Sequence, residues 1–551
     1  MAQQVQRWME VTPSQFTHEA EGLSLIRAVL PANPPFRAWS NFEFRDGHGK
    51  WHEVDLLVLG RRRLHLVELK YYSGTLRGDD LTWRRDGHRA EDSPLKLARR
   101  KAQRLASKLQ DELIRWAQET GARVPDARTV VPFVQESVFL HHPGLRCLLA
   151  PASRIDLFGP DGSENSTGLP GISQRLLEPA TPQQSVGANR DEIIAALMKR
   201  IGIVQRRQRE VGSWILDEEP LGEGDGWQDW PAFHRVATTS RGRIRFLVTP
   251  PGGTATTQAR LRQVAEHEYR IMSRLASDRL LRPQDIVDSE LGVGLVYPLD
   301  DRFQRLDLWL ADHTASVPAE DQLKLLREVA EAVAYAHGNR VVHRGLTPHA
   351  VWVRSLPEGG VRVLVGDWQS AGAVAGPALT GLSASGVTGL MGAADGARSE
   401  TTGSSAGQPS VMIRPGVVDV DRRLAEAFQA PEGVWNRDAD RVRLDVFALG
   451  ALAYFVLAGR PAAADRAALR ERLHRDGGLD LAADLPQVPS AIRALVLEAT
   501  RPTVTERLPD VRSFLARLAD AEEALNGPPG EVVDPLEAAP GSVIVGRFQL
   551  K

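Results

Sequence analysis

Apolar residues form two short runs near the start of the chain, Leu56-Leu57-Val58-Leu59 and then Leu64, Leu66 and Val67 alternating with His65, separated by a basic turn at Arg61-Arg62-Arg63. Runs of this length, bounded by glycine and charge, predict two buried strands joined as a hairpin. Upstream, Leu23, Ile26 and Leu30 share one face of a helix expected from about His18 to Leu30, which Pro31, Pro34 and Pro35 would end. Phe42 and Phe44 alternate as in a strand before the Asp46-Gly47-His48-Gly49 turn. Downstream come a hairpin arm from Leu76 to Trp83, a long basic helix over 94–119 opened by Pro94, and closing strands at Val130 to Leu140 and Leu145 to Leu149. Residues 158–188 are rich in Gly, Pro and Ser and predict a loop or linker. A helix from about Arg190 to Arg209 leads out of it.

A second pattern begins with a short strand at Trp214. An amphipathic helix surrounds Glu268, and Val446 to Gly459 is apolar on every side, as in a helix buried in a core. That run is too short to span a bilayer. Residues 370–410 repeat Gly, Ala, Ser and Thr without apolar periodicity. They are expected to be mobile, and their many hydroxyls would suit a regulatory segment. Residues 526–541 read as a linker, and Ser542 to Lys551 as a strand just begun.

Composition adds little to this division. The 551 residues give room for two to four domains, and the net charge of −2 carries no polyanion signal. The single cysteine, Cys147, excludes a disulfide scaffold and a cysteine-based zinc site, and suits a reducing cytoplasm. The first residues carry no apolar stretch of signal-peptide type, and no membrane association is expected. The basic residues are unevenly placed. Arg61, Arg62, Arg63, Arg84, Arg85, Arg89, Arg99, Arg100, Lys101, Arg104 and Lys108 all fall in the first fifth of the chain. A nucleic-acid backbone would favour that concentration; a solvated helix face is the plain alternative.

The two opening strands carry acids where a sheet prefers none: Asp55 on the first, Glu68 on the second, with Lys70 two residues on. A period of two puts Glu68 and Lys70 on one face. Buried carboxylates cost several kcal/mol unless a cation compensates them. Asp55 and Glu68 would hold a hard ion such as Mg²⁺ or Mn²⁺ through oxygen, and Lys70 would position a water beside a phosphate. Glu19, or Glu21 as the alternative, would reach the sheet from the preceding helix.

This D…ExK pattern resembles the PD-(D/E)xK nuclease fold and, with its surroundings, the nuclease-related (NERD) domain. The residues that carry the resemblance are Glu19 and Glu21, Glu53-Val54-Asp55, Val67-Glu68-Leu69-Lys70, the Gly74 turn and the helix opened by Ser93-Pro94-Leu95. Where the family usually has a Gln early in that helix, this chain has Leu97, with Lys101 one turn later. The resemblance implies a metal-dependent phosphodiesterase on a mixed sheet with flanking helices.

From Trp214 onward the motifs resemble a protein kinase. Leu221-Gly222-Glu223-Gly224-Asp225-Gly226 stands for the Gly-rich loop, Glu268 for the acid of the N-lobe helix, and Val342-His343-Arg344-Gly345 for the catalytic loop. Gly366-Asp367-Trp368, Ala430-Pro431-Glu432, Asp445 and Arg507 follow in kinase order. The chemistry of that family is missing. Gly345 stands at the catalytic base and Ala350 at a metal ligand, and no lysine lies between Lys199 and Lys324. Asp217, Glu218, Glu219, Glu223 and Asp225 would repel a triphosphate. A bilobal pseudokinase that transfers no phosphate and binds ATP weakly or not at all is expected, with Asp367 the surviving metal ligand.

The fold class is therefore α/β and α+β multidomain. The expected division is a nuclease-like domain at 1–157, a linker and connecting helix at 158–210, a pseudokinase at 211–525 with a long insertion at 370–415, and at 526–551 a linker and the start of a further kinase domain. Gly546-Arg547-Phe548-Gln549-Leu550 resembles the entry to the first strand of a bacterial Ser/Thr kinase, so an intact kinase is expected to follow Lys551. In this order the parts resemble the W-protein family of phage growth limitation (Pgl) systems, a type of BREX phage defence. The resemblance implies action on nucleic acid, DNA foremost, together with other phage-defence proteins. Two alternatives stand beside a nuclease: a binding scaffold without catalysis, and a regulatory front half of an active Ser/Thr kinase.

Overall fold

The computed structural model describes residues 7–526 apart from 122, 124–125, 163–164, 180–189, 207–208, 218, 225, 250–252, 314–316, 358, 369–371, 374–424 and 434–438, together with 543–544 and 548–549. The expectations for residues 370–410 and for the linker at 527–541 fall outside the described residues, save Gly372–Ala373.

The first domain is a mixed sheet between helices. Its strands are β1 (Trp8–Glu10), β2 (Arg37–Arg45), β3 (Trp51–Leu59) and β4 (Leu64–Lys70), with helix α1 (Thr17–Val29) between β1 and β2. A side arm follows, β5 (Gly74–Gly78), β6 (Thr82–Arg85) and β7 (Glu91–Asp92), and then the long helix α2 (Pro94–Thr120). The domain continues through β8 (Val134–Leu140), β9 (Leu145–Cys147) and β10 (Leu157–Phe158). The main sheet runs β1-β2-β3-β4-β8-β10. β2-β3-β4 are antiparallel, and β8 joins β4 in parallel. Leu57, Leu59, Leu64 and Leu66 pack with Ala98, Leu105 and Leu109 of α2, while Leu56, Val58 and Val67 pack with Leu23 and Ile26 of α1. Covering both faces is what makes the runs apolar without alternation.

Three sequence expectations need correction here. The closing strand starts at Val134, not Val130, because a short helix (Ala127–Val130) and Pro132 precede it. The connecting helix is Arg190–Arg200 and does not reach Arg209. Gly202, with φ of 73°, ends it in the left-handed region. Nor is 158–210 a free linker. Ile194, Leu197 and Met198 are buried against α2, and β11 (Val204–Gln205) pairs antiparallel with β2 at Phe42 and Glu43.

The second region has two lobes. In the first, Trp227–His234, Arg241–Val248 and Gly292–Pro298 form an antiparallel sheet flanked by Asp285–Ser289, with the helix Ala255–Ser273 packed on it. Trp214–Leu216 and Gly222–Gly224 both pair with Trp227–His234. The second lobe is helical around Arg441–Ala458, whose residues from Asp445 to Leu457 are all buried. Val543–Ile544 pair with Phe548–Gln549 as a separate two-stranded ribbon. No helix among the described residues is long and apolar enough to cross a membrane.

The two regions are docked. Trp51 of β3 packs against the first-lobe core, and the Gln228 amide donates to its carbonyl at 3.2 Å. The side arm reaches the helix Leu306–His313: Asp312 accepts the Ala90 amide at 2.8 Å, and Arg305 pairs with Asp92 at 2.9 Å.

Candidate functional site

The β3–β4 ladder runs from Leu59–Leu64 to Leu56–Val67 and stops. Beyond it the Asp55 side chain replaces the ladder, its Oδ2 accepting the Leu69 amide at 2.8 Å. On the other side of β3, Asn41 takes a left-handed conformation (φ 55°) and interrupts the β2 pairing between Ser40–Leu56 and Phe42–Val54. A non-glycine residue there is uncommon and is held by its surroundings. These two breaks leave Asp55 without a register partner in either ladder, while Glu53, two residues away, stays paired with Glu43.

Around this point lies a cleft of about 340 Å³ whose walls include Glu19, Glu53, Asp55, Lys70, Arg206 and Glu219. Glu68 is fully buried. Lys70 Nζ lies 3.2 Å from its Oε1 and Lys101 Nζ 3.0 Å from its Oε2. The expected side-by-side placement of Glu68 and Lys70 is thus present, with Lys101 entering from α2. Of the two helix acids, Glu19 is buried and faces the cleft, while Glu21 is exposed and stands outside it.

The cation among the carboxylates is Arg206. Its Nη1 lies 2.7 Å from Glu19 Oε1, its Nε 2.6 Å from Glu53 Oε1 and its Nη2 2.7 Å from Asp55 Oδ1. From the second region, Glu219 lies 3.6 Å from Lys70 and 3.5 Å from Lys101. Sequence reasoning missed Arg206 and Glu219, which lie more than 110 residues from their partners. It quoted Glu53 only within the motif; the i, i+2 spacing from Asp55 was the available signal.

Burial dominates the electrostatics. It raises Glu53 well above the ordinary carboxylate range, with the Asp55 charge adding to it and Arg206 opposing. Burial also raises Glu68, to about 7, with Asp55 again adding. For Lys70, burial opposes the charge, but Glu219, Glu68 and Asp55 outweigh it and hold the ammonium well above its usual value.

The donor chemistry suits a hard cation. Five carboxylates (Glu19, Glu53, Asp55, Glu68, Glu219) face three cations (Arg206, Lys70, Lys101). Glu19 Oε2 is buried without a hydrogen-bond partner among the described residues. Carboxylate oxygen donors are what Mg²⁺ or Mn²⁺ takes. As the side chains stand, with Arg206 among them, no group of three or more among the described residues is gathered to hold a metal.

The basic residues expected to face a polyanion are mostly engaged within the molecule. Arg100 and Lys101 are buried, Arg100 against Glu223 at 3.3 Å. Arg99 pairs with Glu136 at 2.7 Å and Arg104 with Asp46 at 3.6 Å. Arg62 pairs with Glu178 at 2.6 Å, and Arg63 donates to Gln135 at 2.9 Å. Arg61 is exposed over the Phe36 ring. Residues 61–63 stand five or more residues up β4 from Glu68, roughly 16 Å at strand spacing. The open side of the cleft is aromatic instead. Phe16 stacks on His18 with centroids 5.5 Å apart, and His18 on Tyr71 at 5.2 Å. Phe16 and Tyr71 are both exposed.

In the kinase-like region, Asp445 accepts the His343 and Arg344 amides, both at 2.7 Å, with Arg344 left-handed at φ 67°. Arg507 pairs with Glu432 at 2.6 Å. The nucleotide side differs. Arg245 binds Asp229 at 2.6 Å and Asp367 at 2.6 Å, and Glu268 accepts the Tyr297 hydroxyl at 2.5 Å. Ala350 is buried, and Gly345 offers only its amide, to His343 Nδ1 at 3.3 Å.

Residues 16–140 match the family described as nuclease-related domain, NERD. The chain is 28% identical over 569 residues to the "Probable kinase PglW" of Streptomyces coelicolor, covering 99% of this chain and 34% of that protein. It is 27% identical over 277 residues to the "Serine/threonine-protein kinase PkaA" of the same organism, covering 48% of this chain and 42% of that protein. The chain thus spans about a third and under half of the lengths of these relatives. Among solved structures, the Mycobacterium tuberculosis PknI kinase domain is similar, with a TM-score of 0.38 and 18% identity, covering 57% of this chain and 98% of that one.

Proposed function

We propose that the chain is a nuclease-related protein that hydrolyses phosphodiester bonds in nucleic acid, DNA being the expected form, and that its kinase-like region transfers no phosphate and serves as scaffold and regulator. The observation that supports it best is the gathering of Glu19, Glu53, Asp55 and Lys70 on one cleft, with Glu68 buried beside Lys70 at 3.2 Å. A Mg²⁺ or Mn²⁺ ion held by Asp55 and Glu68 would supply Lewis-acid polarisation of the phosphate. Lys70 places a charged donor at the cleft wall, where it stabilises phosphate charge and orients the attacking water. Lys101 fixes the Glu68 carboxylate from the far side. The exposed Phe16–His18–Tyr71 row suits stacking of bases, which every sequence offers.

The dead-kinase part of the reading rests on Gly345 and Ala350, which cannot accept a proton or bind a metal through a side chain. It rests also on Arg245, which neutralises Asp367 from within. Glu219 and Glu223 of the acidic loop pair with Lys101 and Arg100 of α2, so that loop serves docking rather than phosphate binding. A role in restricting phage nucleic acid, with other defence proteins as partners, follows from the resemblance to the W proteins and belongs to this proposal. A second reading, binding without cleavage, draws on Arg206 standing among the carboxylates. Incubating the chain with labelled single- and double-stranded DNA and RNA in Mg²⁺ or Mn²⁺ separates the two. Cleavage abolished by chelation is expected; intact substrate with every ion favours the second reading.

A further inference from the structure

Arg206 is the least expected residue in the cleft. Each of its three guanidinium nitrogens faces a different carboxylate, on α1 and at two positions of β3, within 2.6–2.7 Å. Its side chain is 9% exposed. Burying an arginine among three acids gains little over an apolar filling, so stability alone does not account for it. We propose that Arg206 is an internal counter-cation that occupies the carboxylate site of the cleft, and that Arg206 and a divalent ion exclude each other there. The inference rests on the nuclease reading above and adds its regulation.

The backbone around Arg206 is built as a strap. It leaves the helix Arg190–Arg200 at Gly202, and β11 lays Val204 and Gln205 along β2. The Arg206 amide donates to Thr12 Oγ1 at 2.8 Å. Arg209 then binds Glu43 at 2.6 Å and lies over the Trp51 and Trp230 rings, on either side of the domain junction. Val211 and Trp214 enter the core of the first kinase-like lobe. The same stretch of chain thus leads from the cleft to that lobe. The backbone pairing of the strap is short, since β11 is two residues long and both are exposed, so Arg206 with its three carboxylates is the main hold at this point. Replacing Arg206 among the carboxylates by another cation therefore removes most of what holds Val204 to Arg206 to the sheet. Glu219, from the same lobe, pairs with Lys70 and Lys101 and would leave with it.

The test is Mn²⁺ binding to the full chain by calorimetry, with wild type, Arg206→Met and Asp55→Asn/Arg206→Met. Arg206→Met is expected to bind Mn²⁺ at least tenfold more tightly than wild type, and the double variant to lose that gain. If Arg206→Met does not fold, Arg206→Gln, which removes the charge but keeps a polar amide for the carboxylates, replaces it with the same expectation. A second readout is hydrogen exchange. Saturating Mn²⁺ should speed exchange at Val204 to Arg206 in wild type as the strap is displaced. Equal affinity in wild type and variant, with unchanged exchange, overturns the inference while leaving the metal-dependent reading standing. No Mn²⁺ binding in any form overturns both.

Discussion

Glu268 stands where a kinase pairs its helix acid with a lysine, yet here its partner is the Tyr297 hydroxyl. Burial pushes its carboxyl up to about 7, against an ordinary value near 4.5, and the Tyr297 bond only partly opposes this. The folded chain therefore holds a proton that the unfolded chain releases. That contribution is complete below pH 4.5 and is lost as pH rises through 7. On the order of 3 kcal/mol is at stake for a shift of this size. Urea midpoints measured between pH 4.5 and 7 should fall more steeply for wild type than for Glu268→Gln; parallel slopes would contradict the assignment. Among single residues, those carried by a strand period were legible in the sequence. Asp55, Glu68 and Lys70 fall where alternation places them. Arg206 was not legible, because its position depends on a strap that crosses back to β2 from the far side of α2.

At the level of elements, Arg507 ties three pieces of the second lobe together. It pairs with Glu432 at 2.6 Å and donates to the carbonyls of Arg443 and Arg501, and its side chain is fully buried. Arg507→Ala leaves Glu432 and two carbonyls without that partner. Breaking a buried pair from one side costs about 3–5 kcal/mol, which denaturant unfolding should report as an earlier loss of the helical lobe. No change in that transition would mean the pair is replaceable. This pairing could be read from sequence because kinase-like motifs fix its spacing. The basic helix α2 misled for the opposite reason. A run of arginines and lysines has the same composition whether it faces phosphate or a partner domain, and here Arg100 and Lys101 meet Glu223 and Glu219. The short connecting helix was overextended because Val204 and Gln205 fit either a helix or an edge strand, and Gly202 decided between them.

For the molecule as a whole, docking and nucleotide chemistry are linked. The acidic loop that would cover a triphosphate is turned toward α2, and Asp367 is neutralised by Arg245. Millimolar ATP with Mg²⁺ should therefore leave the thermal unfolding midpoint unchanged; a rise of several degrees would contradict the closed arrangement. The order of the two regions was legible in the motifs. That they share a junction was not, because it rests on scattered contacts such as Trp51 with Gln228 and Arg305 with Asp92. The most direct test of the nuclease reading is the cleavage rate of Asp55→Ala, Glu68→Ala and Lys70→Ala beside wild type, in Mn²⁺, with folding checked by circular dichroism. Wild type should cut nucleic acid, and each variant should lose at least a hundredfold in rate. A wild type that cuts nothing, or variants that cut as fast as wild type, would contradict it.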